Sequence, residues 1–309
     1  MIWKVMGQIV MSRWICGALR GFVFFLCVVP LFAEEGPVAP EWFLYQRSLE
    51  AFRADNFGEA VRRLKELGEV YGESADALHL RARIYEQEGE ADLAQGYYLA
   101  ALERGGFGIP DDIYVVRYRL ANLYYQRKNY KRYEDVLMEI AQGQGLYTEP
   151  RYARMRDSYI STLLGQGFDA LAVLYRVPFD FAQEAHRDLG AFYCRTGREM
   201  QGLLHLAFAN LAVVSALADE LKSADPDYTF TTLGDTLERV QRHSELRDFL
   251  VRSDFYQSLY FLAAGMYARG VTREARLIWE LVARYGAGLW KTQSRNQLIA
   301  PRSEPLITY

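Results

Sequence analysis

One spacing constrains this chain more than any other feature. Ala82, Tyr85, Gly89, Ala94, Tyr98 and Ala101 repeat, 34 residues later, the pattern of Ser48, Ala51, Asp55, Ala60, Leu64 and Leu67. A period of that length fits a helix-turn-helix unit, in which small and large residues alternate where two helices cross and a turn former sits between them. Such a unit cannot bury its apolar face alone, so recurrence predicts stacking of neighbours rather than a closed globule.

From Glu41 onward the apolar spacing is helical nearly throughout, and no long Val, Ile and Thr alternation signals strands. The expected class is all-α. The better units read as 41–74, 75–108, 183–216 and 256–289, with turns at Ala54-Asp55-Asn56, Glu88-Gly89-Glu90, Thr196-Gly197 and Gly270. A third hairpin starts near Tyr114 after the glycine-rich insertion Gly105 to Gly108, and Tyr133 takes the place of Ala60 and Ala94. Units around Tyr152 to Arg176 and Leu233 to Leu250 are degenerate. Leu289 to Ile299 reads as a capping helix, and 300–309, with Pro301 and Pro305, as a loose tail.

The first 33 residues hold Lys4, Arg13 and Arg20, no acid, and an apolar run from Phe22 to Ala33. This is the composition of a secretory signal peptide cleaved after Ala33, with Met1 or Met11 as the start. The run is shorter than the roughly 20 residues of a spanning helix, and a retained membrane anchor is the alternative. Residues 34–40 form an extended leader. Removal of the segment takes the formal charge from −3 to −6 and leaves Cys194 as the one cysteine, so a global polyanion-binding field and an internal disulfide are both unexpected.

The repeated residues resemble the tetratricopeptide repeat (TPR) family, most literally at Leu189-Gly190-Ala191-Phe192-Tyr193. The resemblance covers roughly Glu41 to Ile299 and implies a right-handed superhelical solenoid of helix-turn-helix repeats, of an exported bacterial cell-envelope type. It also implies that the first helix of each hairpin lines a concave groove. Carried onto this chain, the groove positions are Tyr45, His79, Arg83, Tyr118, Asn122, Tyr125, Gln126, Arg187, Arg195, Tyr260 and Tyr267. Tyr45 and Leu49 stand where the chaperone-binding subclass carries lysine and asparagine, so a carboxylate clamp is not expected.

Catalytic signals are thin. The histidines form no HExxH, the glycine-rich turns lack the Lys-Ser/Thr of a phosphate loop, and Cys194 on a helix reads as a small buried filler. No enzyme activity, metal or cofactor is expected. Arg127, Lys128, Lys131 and Arg132 lie among tyrosines, but at a hairpin turn of an acidic chain, so nucleic acid is not an expected partner. The expected function is a scaffold or adaptor in the periplasm or cell envelope, binding a protein or peptide segment. The alternative is a small-molecule-binding accessory of a membrane transporter.

Overall fold

The computed structural model describes residues 39–304, 306 and 307. The signal-peptide expectation and nearly all of the leader fall outside these residues. Among the described residues there are helices and no strands. Glu41–Tyr309 forms one compact unit.

Five hairpins make the frame. They pair α1 (Glu41–Arg53) with α2 (Phe57–Tyr71), α3 (Ala75–Gln87) with α4 (Ala91–Arg104), and α5 (Asp112–Gln126) with α6 (Tyr130–Gln142). The fourth joins α9 (Gln183–Cys194) to α10 (Glu199–Ala224), and the fifth joins α13 (Phe255–Ala268) to α14 (Thr272–Tyr285). Their connecting turns share one hydrogen bond. The amides of Asn56, Glu90, Asn129, Arg198 and Val271 each donate to the carbonyl five residues earlier, at 2.8–2.9 Å. This is the closing bond of a Schellman motif, which requires a left-handed residue just before the donor. Asp55 (φ 55°), Gly89 (80°), Lys128 (58°), Gly197 (73°) and Gly270 (82°) supply it. Glycine takes this conformation without a Cβ clash, while Asp55 and Lys128 bear a cost of about 1 kcal/mol.

Most of the periodic residues on the helices are packing residues. Ser48, Ala60, Leu64, Leu67, Ala82, Ala94, Tyr98 and Ala101 are fully buried. Tyr133 departs from the small-residue rule by reaching across to Phe192 of α9, ring centroids 5.4 Å apart.

The degenerate segments do not stack in line with the hairpins. α6 packs directly on α9, and α9 and α10 pack directly on α13. Between them, α7 (Gly145–Thr148), a 3-10 turn (Pro150–Tyr152) and α8 (Ala153–Leu174) leave the row. α8 lies on α10, kinked where Gly167 adopts φ 87° and ψ 177°. α11 (Leu233–Val240) touches α10 and α14, and α12 (Ser244–Arg252) leads into α13. The physical cause is α10 itself. Its apolar residues continue from Leu203 through Leu221, and the second half needs α8 and α11 as cover. By length and composition α10 is apolar enough to cross a bilayer, and 78% of that stretch is buried within the fold.

α15 (Gly288–Ile299) packs on α14 and α13. The residues after it, expected to be loose, are tied down where they are described. Arg302 N–H donates to Gln297 Oε1 at 2.8 Å, Tyr260 donates to Glu304, and Ile307 N–H donates to the Arg195 carbonyl at 2.6 Å. Pro301 stops the helix, but the buried Gln297 amide still needs partners, and the following backbone provides them.

Two features at the α9–α10 crossing and one glycine of α4 generate tests. A Cβ built on Gly202 would lie 2.9 Å from the Gly190 carbonyl oxygen and 2.8 Å from Cys194 Sγ. Gly202→Ala should therefore cost about 1–3 kcal/mol in denaturant unfolding, because backbone cannot rotate away. Gly96 lies inside α4 with open space at its Cβ, so Gly96→Ala should be neutral or stabilising by about 0.5–1 kcal/mol.

At the same crossing His186 and His205 meet, Nδ1 to Nδ1 at 2.8 Å, with His205 Nε2 3.2 Å from the Tyr147 hydroxyl. Burial lowers both pKa values, His205 to about 3, so both rings are neutral in the folded state. Unfolded histidine titrates near 6.5, so between about pH 6.5 and 3 the unfolded chain binds the extra proton. Stability is then full above pH 6.5 and falls as pH drops, by about 2 kcal/mol from His205 alone at pH 5. The slope of stability against pH between 7.5 and 5 should flatten in His205→Asn, and an unchanged slope would rule out this linkage.

Candidate partner-binding groove

Tyr118, Asn122 and Tyr125 follow one another at helical spacing on α5, as do Glu184, Arg187, Asp188 and Ala191 on α9, so each set shares a face. The two faces meet at a concavity of about 630 Å³, extended by Gln257 and Phe261 of α13 and by Trp290 of α15. The turn geometry sets this alignment. Val115, Glu184 and Gln257 each lie thirteen residues before a left-handed turn residue, Arg119, Asp188 and Phe261 lie nine before it, and all six line the concavity.

Tyr118 does internal work here. Its hydroxyl donates to the Phe181 carbonyl at 2.6 Å and accepts from Ala185 N–H at 2.8 Å. Burial pushes its pKa well above the usual phenol value. The residue thus fixes the start of α9 to α5 while lining the groove. Tyr114 stacks on Phe181 with centroids 3.9 Å apart and holds the same joint.

Arg187 is the electrostatic centre. Its side chain is 8% exposed and contacts Glu184 at 3.2 Å, Asp188 at 2.8 Å and Asp254 at 2.9 Å. Burial opposes its charge, yet Asp188, Glu184 and Asp254 together raise its pKa above the ordinary guanidinium value. Asp254 precedes α13 in a left-handed conformation, so the network clamps α9 to the start of α13. Arg195, at the end of α9, donates to the Tyr125 hydroxyl at 3.2 Å. Among the described residues it has no carboxylate within 4.0 Å, whereas Arg119 on the same wall pairs with Glu86 at 3.0 Å. Asn122 is exposed beside it.

Five of the expected residues, Tyr118, Asn122, Tyr125, Arg187 and Arg195, therefore border one groove. Gln126 is exposed and off its lining. Tyr45, His79 and Arg83 sit together elsewhere, on α1 and α3. Arg83 lies 4.6 Å from the Phe52 ring centroid, and His79 has its pKa lowered to about 4 by burial and by Arg83 and Arg119. Tyr260 is buried, its hydroxyl accepting from Gln297 at 3.2 Å and its ring 5.3 Å from Trp290. Tyr267 packs on Trp279 at 5.6 Å. Both tyrosines point at α14 and α15 because they are out of phase with the lining positions by a fraction of a helical turn. Gln257 and Phe261 replace them in the groove. Counting back from Gly270, as Glu184 and Asp188 count back from Gly197, would have found them in the sequence.

Cys194 is buried, and burial pushes its thiol up to about 12, which suits a packing role beside Gly202 and Gly265. In the basic tyrosine-rich turn, Arg127 pairs with Asp92, and Lys131 with Asp135 at 2.9 Å. Among the described residues no three His, Cys, Asp or Glu side chains gather as a metal site would require.

No protein-family model matches the chain. An uncharacterized protein of Treponema pallidum (strain Nichols) is 24% identical over 204 residues, which is 64% of this chain. The match spans about half (54%) of that protein's length.

Arg187→Met should be destabilising by about 2–4 kcal/mol, discounted because Glu184 and Asp254 keep half their side chains in water. Asn122→Ala should stay within about 0.5 kcal/mol. Chemical denaturation of the two variants measures both.

Proposed function

We propose that this chain is an exported TPR-like scaffold, a right-handed solenoid that holds an extended segment of a cell-envelope protein in the groove bordered by α5, α9 and α13. The observation that carries the reading is the in-phase lining. First helices of three successive hairpins turn the same two positions toward one concavity, which is how a repeat array builds a continuous binding surface. The shared Schellman turns support a repeat origin for those hairpins.

The chemistry of the surface suits a polypeptide. Tyr118, Phe192, Phe261 and Trp290 line the concavity together with Asn122, Gln257 and Arg195. Amides pair with a peptide backbone, and aromatic faces accept side chains at low entropic cost. Arg195, with no carboxylate of its own at hand, provides a point for an acidic group of the partner.

Photo-cross-linking in cells from position 122, followed by identification of the captured protein, tests the reading. Asn122→Ala with Arg195→Glu should reduce partner recovery at least ten-fold while the melting temperature stays within a few degrees. Retention of every co-purifying partner would remove the groove from the function. N-terminal sequencing of the protein from cells should begin at Glu34, and an intact Met1 or Met11 terminus would overturn export by cleavage.

A further inference from the structure

After α15 the described residues Arg302, Ser303, Glu304, Leu306 and Ile307 form a strap that contacts Gln297 at one end and the end of α9 at the other. The contacts are of the kind used for reading an extended peptide. Gln297 is 3% exposed, and its side-chain amide closes on one residue of the strap from both sides. Arg302 N–H donates to Oε1 at 2.8 Å, and Nε2 donates to the Arg302 carbonyl at 3.0 Å. Glu304 accepts from the Tyr260 hydroxyl and, at 3.4 Å, from Gln297 Nε2. Ile307 N–H donates to the Arg195 carbonyl at 2.6 Å, and its side chain enters the groove with Phe261 and Trp290. Leu306 lines a second cavity, of about 240 Å³, floored by Cys194, Ala264 and Gly265.

The receiving groups have few other partners. Without the strap, the buried Gln297 amide and Tyr260 hydroxyl would have only each other, at 3.2 Å. Arg195 O belongs to the end of α9, where helix carbonyls lack intrahelical donors. A buried amide, a buried phenol and an orphan carbonyl, with the groove taking Ile307 and a cavity lined by Leu306 beside them, combine main-chain hydrogen bonds with places for side chains.

The geometry points to the strap as an intramolecular ligand. This end of the groove is a binding site for an extended peptide that carries a carboxylate and, three residues further on, a branched aliphatic side chain; Glu304 and Ile307 fill it until a partner segment of that kind displaces them. The inference rests on the groove being a polypeptide-binding surface. Tethering gives the strap an effective concentration of order millimolar, so a competing peptide must overcome it, and release of the strap should raise the observed affinity by at least ten-fold.

The test uses the full chain with E304K and I307D, which release the strap without touching a helix, and a fluorescein-labelled peptide Arg-Ser-Glu-Pro-Leu-Ile. The peptide should bind this variant at least ten-fold more tightly than the unsubstituted chain, and Q297L added to the variant should abolish binding. A second readout guards against a folding defect. In a C16S/C27S background, Cys194 should react with a maleimide at least five-fold faster once the strap is released, and saturating peptide should slow it again. Equal peptide binding to both forms, or no binding to either with unchanged Cys194 labelling, overturns the inference. If the peptide fails while N122A/R195E still releases the cellular partner, the strap inference falls and the groove reading stands. If the peptide binds the released site while N122A/R195E leaves every partner in place, the groove reading falls.

Discussion

The close approach of α9 and α10 is the constraint on which the rest depends. Gly190 and Gly202 let the two backbones come together so tightly that each glycine's missing Cβ is the space occupied by the other's carbonyl or by Leu206 and Cys194. α9 is also where the two hydrophobic clusters join. Leu189, Phe192 and Tyr193 belong to the cluster shared with α3–α6, while Ala191 and Cys194 belong to the one built around α10 and α13. A helix with a core on both sides has no freedom to rotate. The groove residues it carries are therefore held at fixed angles.

That rigidity explains how a buried guanidinium is tolerated at the edge of the concavity. Arg187 is desolvated, and three carboxylates from α9 and the start of α13 compensate it. The result is a clamp between two hairpins with its charge consumed internally. Arg195 differs because its carbonyl and its guanidinium point to different tasks. The carbonyl receives Ile307 N–H, and the guanidinium reaches Tyr125 across the groove. Of the two arginines, only Arg195 has no carboxylate within 4.0 Å among the described residues.

Much of the hairpin frame was legible in the sequence. Eight of the twelve positions whose 34-residue spacing suggested a repeat are fully buried, Ala51 and Tyr85 are half-buried, and the turns at Asp55, Gly89, Gly197 and Gly270 fall where expected. The degenerate segments were legible as helices but not in their placement. Nothing local in Tyr152 to Arg176 indicates that α6 bypasses it to reach α9, since that follows from the apolar length of α10, far along the chain. The groove was partly legible. Tyr118, Asn122, Tyr125, Arg187 and Arg195, named from the family resemblance, border the concavity, whereas Tyr260 does not line it because its ring lies against Trp290 and its hydroxyl bonds Gln297, both of α15.

By itself the sequence determined the periodicity, the helices and the residues that must be small, because these follow from backbone hydrogen bonding and from side-chain size at short separations. Only the tertiary structure decided which helices meet, that the Tyr118 hydroxyl is held between Phe181 and Ala185, and that Ile307 returns to the end of α9. Those outcomes depend on contacts between residues 60 or more positions apart. Such contacts are fixed by how the cores fill and by which buried polar groups must find a donor or acceptor, and no local pattern encodes them.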